Sequence, residues 1–227
     1  ATETATSTDV PRPAGWAKLS HSNKADPNYD VVFPRDKVSR MKITIAPDDW
    51  AAMQADMQEL FGSSSQGGQL QFPGGQVPGR QFPGGQLPGQ QNPGSGLPQA
   101  GQGDVAAPAL GGAGGDLMTE NPMWVPGTIE CHDLTWTYVG VRYKGNSSLR
   151  SGWGSGSLKL PLKLDFDQFE DEHPEINNQR FFGFKQLSLS NAFSDDTYMR
   201  DALTYDILEE AGLPASQTAY YQVILDY

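Results

Sequence analysis

The sequence has little cysteine, little histidine and no long apolar run, and each shortage excludes a class of protein. A single cysteine, Cys131, allows no disulfide within the chain and no thiolate metal cluster, and we expect it to be a buried, inert thiol. The three histidines, His21, His132 and His173, are scattered in sequence, so we expect structural or solvated roles for them. No apolar stretch approaches the roughly 18 residues of a transmembrane helix. The sequence therefore predicts no membrane span and no disulfide scaffold.

Positive charge is also scarce. Lys and Arg total 16 against 27 Asp and Glu, which gives a net charge of -11. General nucleic-acid binding needs a basic surface, so we expect no nucleic-acid partner. The chain starts without Met on a polar stretch, ATETATSTDVPRP, as a mature exported protein or a trimmed chain would. Because cysteine is sparse and the tail is rich in Thr, Ser and Pro, we favour an extracellular or surface location.

Low-complexity sequence divides the chain. Residues 1–34 lack periodicity and are predicted to be a flexible tail. In residues 62–116 the decapeptide QFPGGQVPGR is nearly repeated as QFPGGQLPGQ, and a Gly/Ala stretch follows. Proline removes backbone donors and glycine raises the entropy of ordering, so this segment is predicted to be a disordered insertion. Loop closure becomes costlier only slowly with length, so residues 35–227 are predicted to form one domain around it.

Periodicity predicts an α+β fold with a mostly antiparallel sheet and two helices. Alternating apolar residues predict strands at residues 38–45, 125–131, 135–144, 158–167, 185–190 and 218–226. Trp50, Met53 and Met57 recur at helical spacing after Pro47 and predict a helix that packs on the core. A second helix is predicted at about residues 196–211, with a cap at Asp195 or Asp196 and an apolar stripe of Met199, Leu203 and Ile207.

The segment VGVRYKGNSSLRSGWGSGSLKLPLKLDF contains the candidate polyanion site. Alternation in KLPLKLDFD predicts that Lys159 and Lys163 share one strand face, opposite the leucines. Arg142 and Lys144 on the preceding strand add positive charge. The loop between the strands offers backbone amides and hydroxyls that can hold phosphates; its residues are Gly145, Asn146, Ser147 and Ser148. An equally good interpretation is a solvated strand face beside an ordinary Gly/Ser hairpin.

Other candidate sites in the sequence are weaker. Asn146-Ser147-Ser148 is a glycosylation sequon, which matters only in a secretory pathway. The acidic residues between Asp165 and Glu175 lack the spacing and the central glycine of an EF-hand, so a solvated acidic turn is favoured over a cation site. No serine lies in a nucleophile-elbow context.

The order strand, Gly/Ser loop, lysine-bearing strand, helix and strand is that of the small lobe of a protein kinase. In that lobe the loop covers the phosphates, the strand lysine contacts them, and a helix acid orients the lysine. The loop here does not read G-x-G-x-x-G, and the sequence contains no V-A-I-K. Element order alone thus makes a kinase one possibility among several.

Four blocks together resemble the CotH family of spore-coat-protein-H-like atypical kinases. They are VGVRYKGNSSL, KLPLKLDFD, GFKQLSLSN and DDTYMRDALTYDILEEAGLPASQTAYY, and the resemblance covers about residues 38–227. It implies a divergent protein-kinase-like fold, of which this chain resembles the N-terminal lobe. It also implies transfer of phosphate from ATP, with Mg or Mn, to Ser or Thr of coat or surface proteins.

The resemblance also implies residue roles. Lys159 matches the ATP-phosphate lysine of the K-x-P-x-[KR] block, and Lys163 is the second choice. Gly145, Asn146, Ser147 and Ser148 match the phosphate-proximal turn. Arg200 matches a family position that is structural or bridges to the site. The acid that orients the lysine stays open among Asp201, Asp206, Glu209 and Glu210, and the apolar stripe of the helix favours Asp206 or Glu210.

One departure from the family limits these expectations. The catalytic and metal-binding aspartates of the family lie downstream of the last strand here, and no matching block occurs in this sequence. We therefore expect no catalytic residue and no metal ligand within the chain, and no activity from it alone. The alternatives are a non-enzymatic CotH-like coat scaffold or adhesin, and a plain extracellular sheet domain whose lysines are only solvated.

Overall fold

A six-stranded sheet organises the protein, in a computed structural model that describes residues 10–64 and 121–227. The strands pair in the order β5-β4-β3-β2-β1-β6. They are β1 (Ser39–Ile45), β2 (Val125–Cys131), β3 (Leu134–Tyr143), β4 (Leu162–Asp165), β5 (Gln186–Leu189) and β6 (Tyr221–Asp226). All neighbours are antiparallel except β1 and β6, which run parallel. The predicted α+β fold with a mostly antiparallel sheet is confirmed.

Within residues 10–64 and 121–227, five α-helices accompany the sheet where two were predicted for the chain. They are α1 (Lys18–His21), α2 (Tyr29–Val32), α3 (Pro47–Phe61), α4 (Ser147–Gly154) and α5 (Arg200–Glu210), and a 3-10 turn spans Pro174–Ile176. In the described part of the chain, no helix combines the length and the apolar character needed to cross a bilayer. Most of the predicted insertion, residues 65–116, and the first nine residues of the predicted tail lie outside the described residues.

The core lies on one face of the sheet, called here the inner face. Met41, Ile43 and Ile45 alternate along β1 and are fully buried there. Helix α3 begins at Pro47, with Asp48 and Asp49 in its first turn, and covers this face. Its buried side chains are Met53 and Met57, so the predicted core-packing helix is confirmed. The predicted buried thiol of Cys131 is also confirmed, and burial raises its pKa to about 11.

A β-bulge in β3 adapts that strand to the core. Gly127 pairs with Val139 and Ile129 pairs with Trp136, so β3 has one extra residue between the two pairs. The extra residue shifts the alternation, which lets Trp136 and Val139 both point to the core and be fully buried. Simple alternation does not predict this arrangement.

Residues 10–34, called here the strap, lie against the domain rather than apart from it. The imidazole of His21 stacks on the Trp136 ring with centroids 4.6 Å apart, and its Nε2 lies 3.0 Å from the Thr135 carbonyl oxygen. The backbone of the strap bonds to a distant loop, since Arg180 N donates to His21 O at 2.8 Å and Asn28 N donates to Phe182 O at 2.9 Å. The described part of the predicted tail is thus ordered by tertiary contacts.

Candidate functional site

Three cations lie together on the outer face of the sheet, opposite the core. Arg142 of β3 and Lys163 of β4 are direct partners across the strand pair. Lys144 directly follows the end of β3, and the charges of both Arg142 and Lys163 act on it. In the described part of the chain, none of the three takes part in an ion pair. We call Arg142, Lys144 and Lys163 the cation cluster.

The electrostatics of Lys144 reflect this crowding. Its pKa is lowered, first by burial and then by the charges of Lys163 and Arg142, while the carboxylate of Asp201 opposes the shift. Both leading causes disfavour the charged ammonium. A nearby anion would therefore be stabilised by the cluster and would in turn stabilise it.

The guanidinium of Arg142 is held in place by its neighbours. It lies over the Trp124 ring, 4.9 Å from the centroid, and its Nη1 donates to the side-chain oxygen of Asn121 at 3.2 Å. Its Nε is buried and has no hydrogen-bond partner. Burial also lowers the Arg142 pKa.

The predicted Gly/Ser loop is largely a helix. Ser147 and Ser148 open α4, and only Lys144, Gly145 and Asn146 separate it from β3. Gly145 has φ 100°, and a Cβ atom there would lie 3.1 Å from Ser148 Oγ. A glycine is therefore needed where the chain turns from β3 into α4. The loop expected to cover phosphates is thus a tight turn beside the cation cluster.

Lys159 lies apart from the cluster. Strand β4 begins only at Leu162, and Lys159 sits in the irregular segment before it, with its Nζ 4.4 Å from the centroid of the Tyr198 ring. Its carbonyl oxygen accepts a hydrogen bond from Asn191 Nδ2 at 2.9 Å. The prediction that Lys159 and Lys163 share one strand face assumed a continuous strand from residue 158, and the structure shows a later start.

Lys159 lines a cleft of about 970 Å³, which Lys163 does not line although its cross-strand partner Ser188 does. The floor of the cleft is apolar, with Leu160 and Leu162 from one side and Leu187 and Leu189 from β5. Its polar lining includes Asp195, Asp201, Gln186, Ser188, Ser190, Asn191 and Gln217. The structure therefore divides the predicted site residues between this cleft, which has Lys159, and the cation cluster, which has Arg142 and Lys163.

The acidic residues of α5 also lie in two different surroundings. Asp206 and Glu209 form ion pairs with Arg35, at 3.2 Å and 2.7 Å. Asp201 instead lines the cleft and acts electrostatically on Lys144. Among the acids left open by the sequence, Asp201 is thus the one tied to a lysine near the site, whereas Asp206 is engaged elsewhere.

Arg200 and the start of α5 have structural contacts. The Arg200 guanidinium donates to the Ser194 carbonyl oxygen at 2.9 Å, and its backbone N donates to the Asp195 carboxylate at 2.9 Å. The carboxylate of Asp195 also accepts from Thr197, at 2.6 Å from the hydroxyl, and these bonds lower its pKa. The helix begins at Arg200 with Met199 at its N-cap position, later than predicted, and Asp195 accepts the first backbone N–H of the helix from outside it.

A buried charge network was missed at the sequence level. Asp165 and Asp167, predicted to belong to a solvated acidic turn, are both almost fully buried. Asp167 pairs with Lys185 at 2.9 Å and with Arg180 at 2.5 Å, whereas Asp165 accepts from Gln186. Burial raises the Asp165 pKa. The described residues contain no group of three or more His, Cys, Asp or Glu side chains arranged to hold a metal ion.

Comparison with known proteins gives one match. No curated protein and no solved structure matched the chain, so its likeness to a kinase lobe stays a prediction. Residues 141–227, less than half of the chain, match the family model described as CotH kinase protein. That segment holds the cation cluster, Lys159, the cleft residues of β4 and β5, and α5. The match confirms, over residues 141–227, the similarity to the CotH kinase family that the sequence blocks predicted.

Proposed function

We propose that this chain supplies the nucleotide-binding part of a CotH-type protein kinase, which transfers phosphate from ATP to Ser or Thr of a spore-coat or cell-surface protein. The observation that carries the proposal is the family match over residues 141–227, the segment that contains the cleft lysine Lys159. The cleft lies within the usual size range of small-molecule sites, about 300–1,000 Å³.

The cleft combines the two surfaces that a nucleotide needs. Its leucine floor offers apolar area for a base, and the polar side chains at its edge offer hydrogen bonds. The Lys159 ammonium at the edge supplies a positive charge for a phosphate group. Tyr198, on which this ammonium rests, holds it near the start of α5.

The residues present do not fit a metal site of their own. Two carboxylates line the cleft, but Asp195 is occupied in capping α5, which leaves Asp201. A single free carboxylate falls short of the oxygen-rich ligand set that Mg²⁺ prefers. We therefore assign no step of the reaction to a metal held by these residues.

The test compares Lys159, which lines the cleft, with Lys163, which does not. We expect Lys159→Ala to weaken ATP binding about ten- to a hundred-fold, because a charge-assisted contact to phosphate contributes roughly 1.5–3 kcal/mol. Lys163→Ala should weaken it less, because Lys163 does not line the cleft. Isothermal titration of the chain with ATP measures both, and circular dichroism checks folding.

Lys42→Ala is the matched control. Lys42 is also a half-exposed strand lysine, but it is paired with Asp226 at 2.9 Å, and we expect its loss to leave ATP affinity unchanged. If the wild-type chain binds no ATP, or if Lys159→Ala binds as tightly as wild type, the nucleotide proposal is wrong. A non-enzymatic scaffold or adhesin would then account better for the family match.

A further inference from the structure

We propose that the cation cluster of Arg142, Lys144 and Lys163 is a second anion site, separate from the cleft, which binds a single phosphate group. The proposal does not require the cleft to bind ATP. It rests on three features of the outer face of β3 and β4: unpaired positive charge, a fixed guanidinium with a free buried donor, and a spacing that suits one tetrahedral anion.

The first feature is the unpaired charge in an acidic protein. The chain has 27 acidic residues against 16 basic ones, yet within the described residues no carboxylate pairs with the cluster. Elsewhere on the same sheet Lys42 has two acidic partners, Glu130 and Asp226. Cations held side by side repel one another, and partial burial strengthens that repulsion. A bound anion would remove it.

The second feature is the preorganised guanidinium of Arg142. Stacking on Trp124 and the bond to Asn121 fix its plane before any ligand arrives. Its Nε is a buried donor that no described group satisfies. A buried donor without a partner is unfavourable, so a small shift of the side chain that brings Nε to an anion oxygen would be stabilised by the missing hydrogen bond.

The third feature is spacing. Arg142 and Lys163 are cross-strand partners, so their Cα atoms lie about 5 Å apart. Lys144 is two residues from Arg142, about 7 Å along the strand. Three cations at these separations can converge on one phosphate, whose several oxygens each accept a charge-assisted hydrogen bond. An extended nucleic-acid backbone would instead need a longer basic surface than this acidic chain provides.

Two sources could supply the phosphate: a phosphorylated serine or threonine side chain, or the phosphate tail of a nucleotide. The cluster and the cleft adjoin at Asp201, but none of the three cluster cations lines the cleft. We therefore expect the cluster to take the phosphorylated side chain and the cleft to take the nucleotide.

The experiment titrates the chain separately with inorganic phosphate, with a capped phosphoserine and with ATP. The variants are Lys144→Met and Lys163→Met, because methionine keeps an apolar stem and removes the charge. We expect either variant to reduce phosphate and phosphoserine affinity about five- to twenty-fold. Lys42→Ala should leave both affinities unchanged, because Lys42 is already paired with Glu130 and Asp226. Without ligand, Lys144→Met should unfold at the same temperature as wild type or higher, since it relieves repulsion.

Each outcome decides the matter. The proposal is wrong if the chain binds no phosphate, or if Lys144→Met and Lys163→Met bind phosphate as tightly as wild type does. If ATP displaces phosphate and Lys144→Met weakens ATP as much as Lys159→Ala does, the cluster belongs to the nucleotide site and the second site is refuted. Phosphoserine binding that depends on Lys144 supports the second anion site, even if the chain binds no ATP. Failure of the nucleotide proposal can therefore be told apart from failure of the second-site proposal.

Discussion

At the scale of single residues, Gly183 decides how the strap can lie on the domain. Its φ is 89°, in the left-handed region that favours glycine. A Cβ atom there would stand 2.6 Å from both N and Cα of Pro27, closer than real Cβ contacts come. Because the obstructing atoms belong to the backbone, no side-chain rotation can relieve the clash. The strap and the loop around Gly183 must therefore approach through a glycine.

We expect Gly183→Ala to lower the free energy of unfolding by about 2–4 kcal/mol. About 1–2 kcal/mol of this comes from left-handed backbone with a Cβ atom, and the rest from displacing the strap. Gly212→Ala is the matched control, because Gly212 has φ 73° and nothing within 4 Å of the added Cβ. Urea unfolding of both variants measures the difference. Equal losses of unfolding free energy in the two variants would show that the contact between Gly183 and the strap does not stabilise the domain.

At the scale of elements, α5 differs from α3 in how it is held. Helix α5 buries no side chain, and its predicted stripe is exposed, with Met199 and Leu203 at 49% and Ile207 at 65%. The ion pairs from Arg35 link α5 to the start of β1. Exposed ion pairs contribute only about 0.2–1 kcal/mol each. Helix α3, by contrast, is anchored by two fully buried methionines.

We therefore expect the backbone amides of α5 to exchange hydrogen at least ten-fold faster than those of α3, because local opening of α5 exposes little apolar surface. Hydrogen exchange followed by mass spectrometry measures this. Arg35→Ala should speed exchange in α5 further, whereas Arg40→Ala, at an exposed β1 position without an ion pair, should not. Protection in α5 equal to that in α3 would contradict the interpretation.

The elements also show what the sequence can and cannot predict. Strands with strict alternation, such as β1 and β2, and the helix that starts at Pro47 follow from local pattern. Helix α4 was missed because its Gly and Ser residues have low helix propensity, and packing of Leu149 and Trp153 into the core overrides it. The strap was missed because its contacts, such as His21 with Trp136, join residues far apart in sequence.

The candidate site was predicted in residue type but not in arrangement. Arg142 and Lys163 do lie together, because a continuous strand pair carries them. Lys159 does not join them, because two-residue alternation holds only within a strand and β4 starts three residues later. Lys144, mentioned in the sequence only as nearby charge, proves central because burial and neighbouring cations act on it together. Such effects depend on tertiary packing that no local pattern contains.

At the scale of the whole molecule, the two described parts of the chain meet near Gly62 and Met123. Trp153 Nε1 donates to Gly62 O at 2.9 Å, and Met123 N donates to Asp56 Oδ2 at 2.9 Å, so both ends of the intervening segment contact helices α3 and α4. The sequence between them is the Gly/Pro/Gln segment, whose structure lies outside the described residues. A short loop could therefore join Gly62 to Met123 without distorting the domain.

We expect deletion of residues 67–115 to change the free energy of unfolding by less than about 1 kcal/mol, because loop length enters only logarithmically. The eleven residues left between Gly62 and Met123 can span about 40 Å, at up to 3.6 Å each. Thermal and urea unfolding of the deleted chain test this. A loss of several kcal/mol would mean that the segment stabilises the domain through contacts of its own.

The parallel pairing of β1 with β6 has a consequence for synthesis. Ser39 of β1 pairs with Tyr221 of β6, so β1 is synthesised about 180 residues before its parallel partner strand. Until then β1 has a partner on only one side, and an open edge of alternating apolar residues invites pairing with other chains. Contacts this distant in sequence also slow folding. The nascent protein should therefore depend on chaperone protection, or on slow release, for as long as this edge stays open.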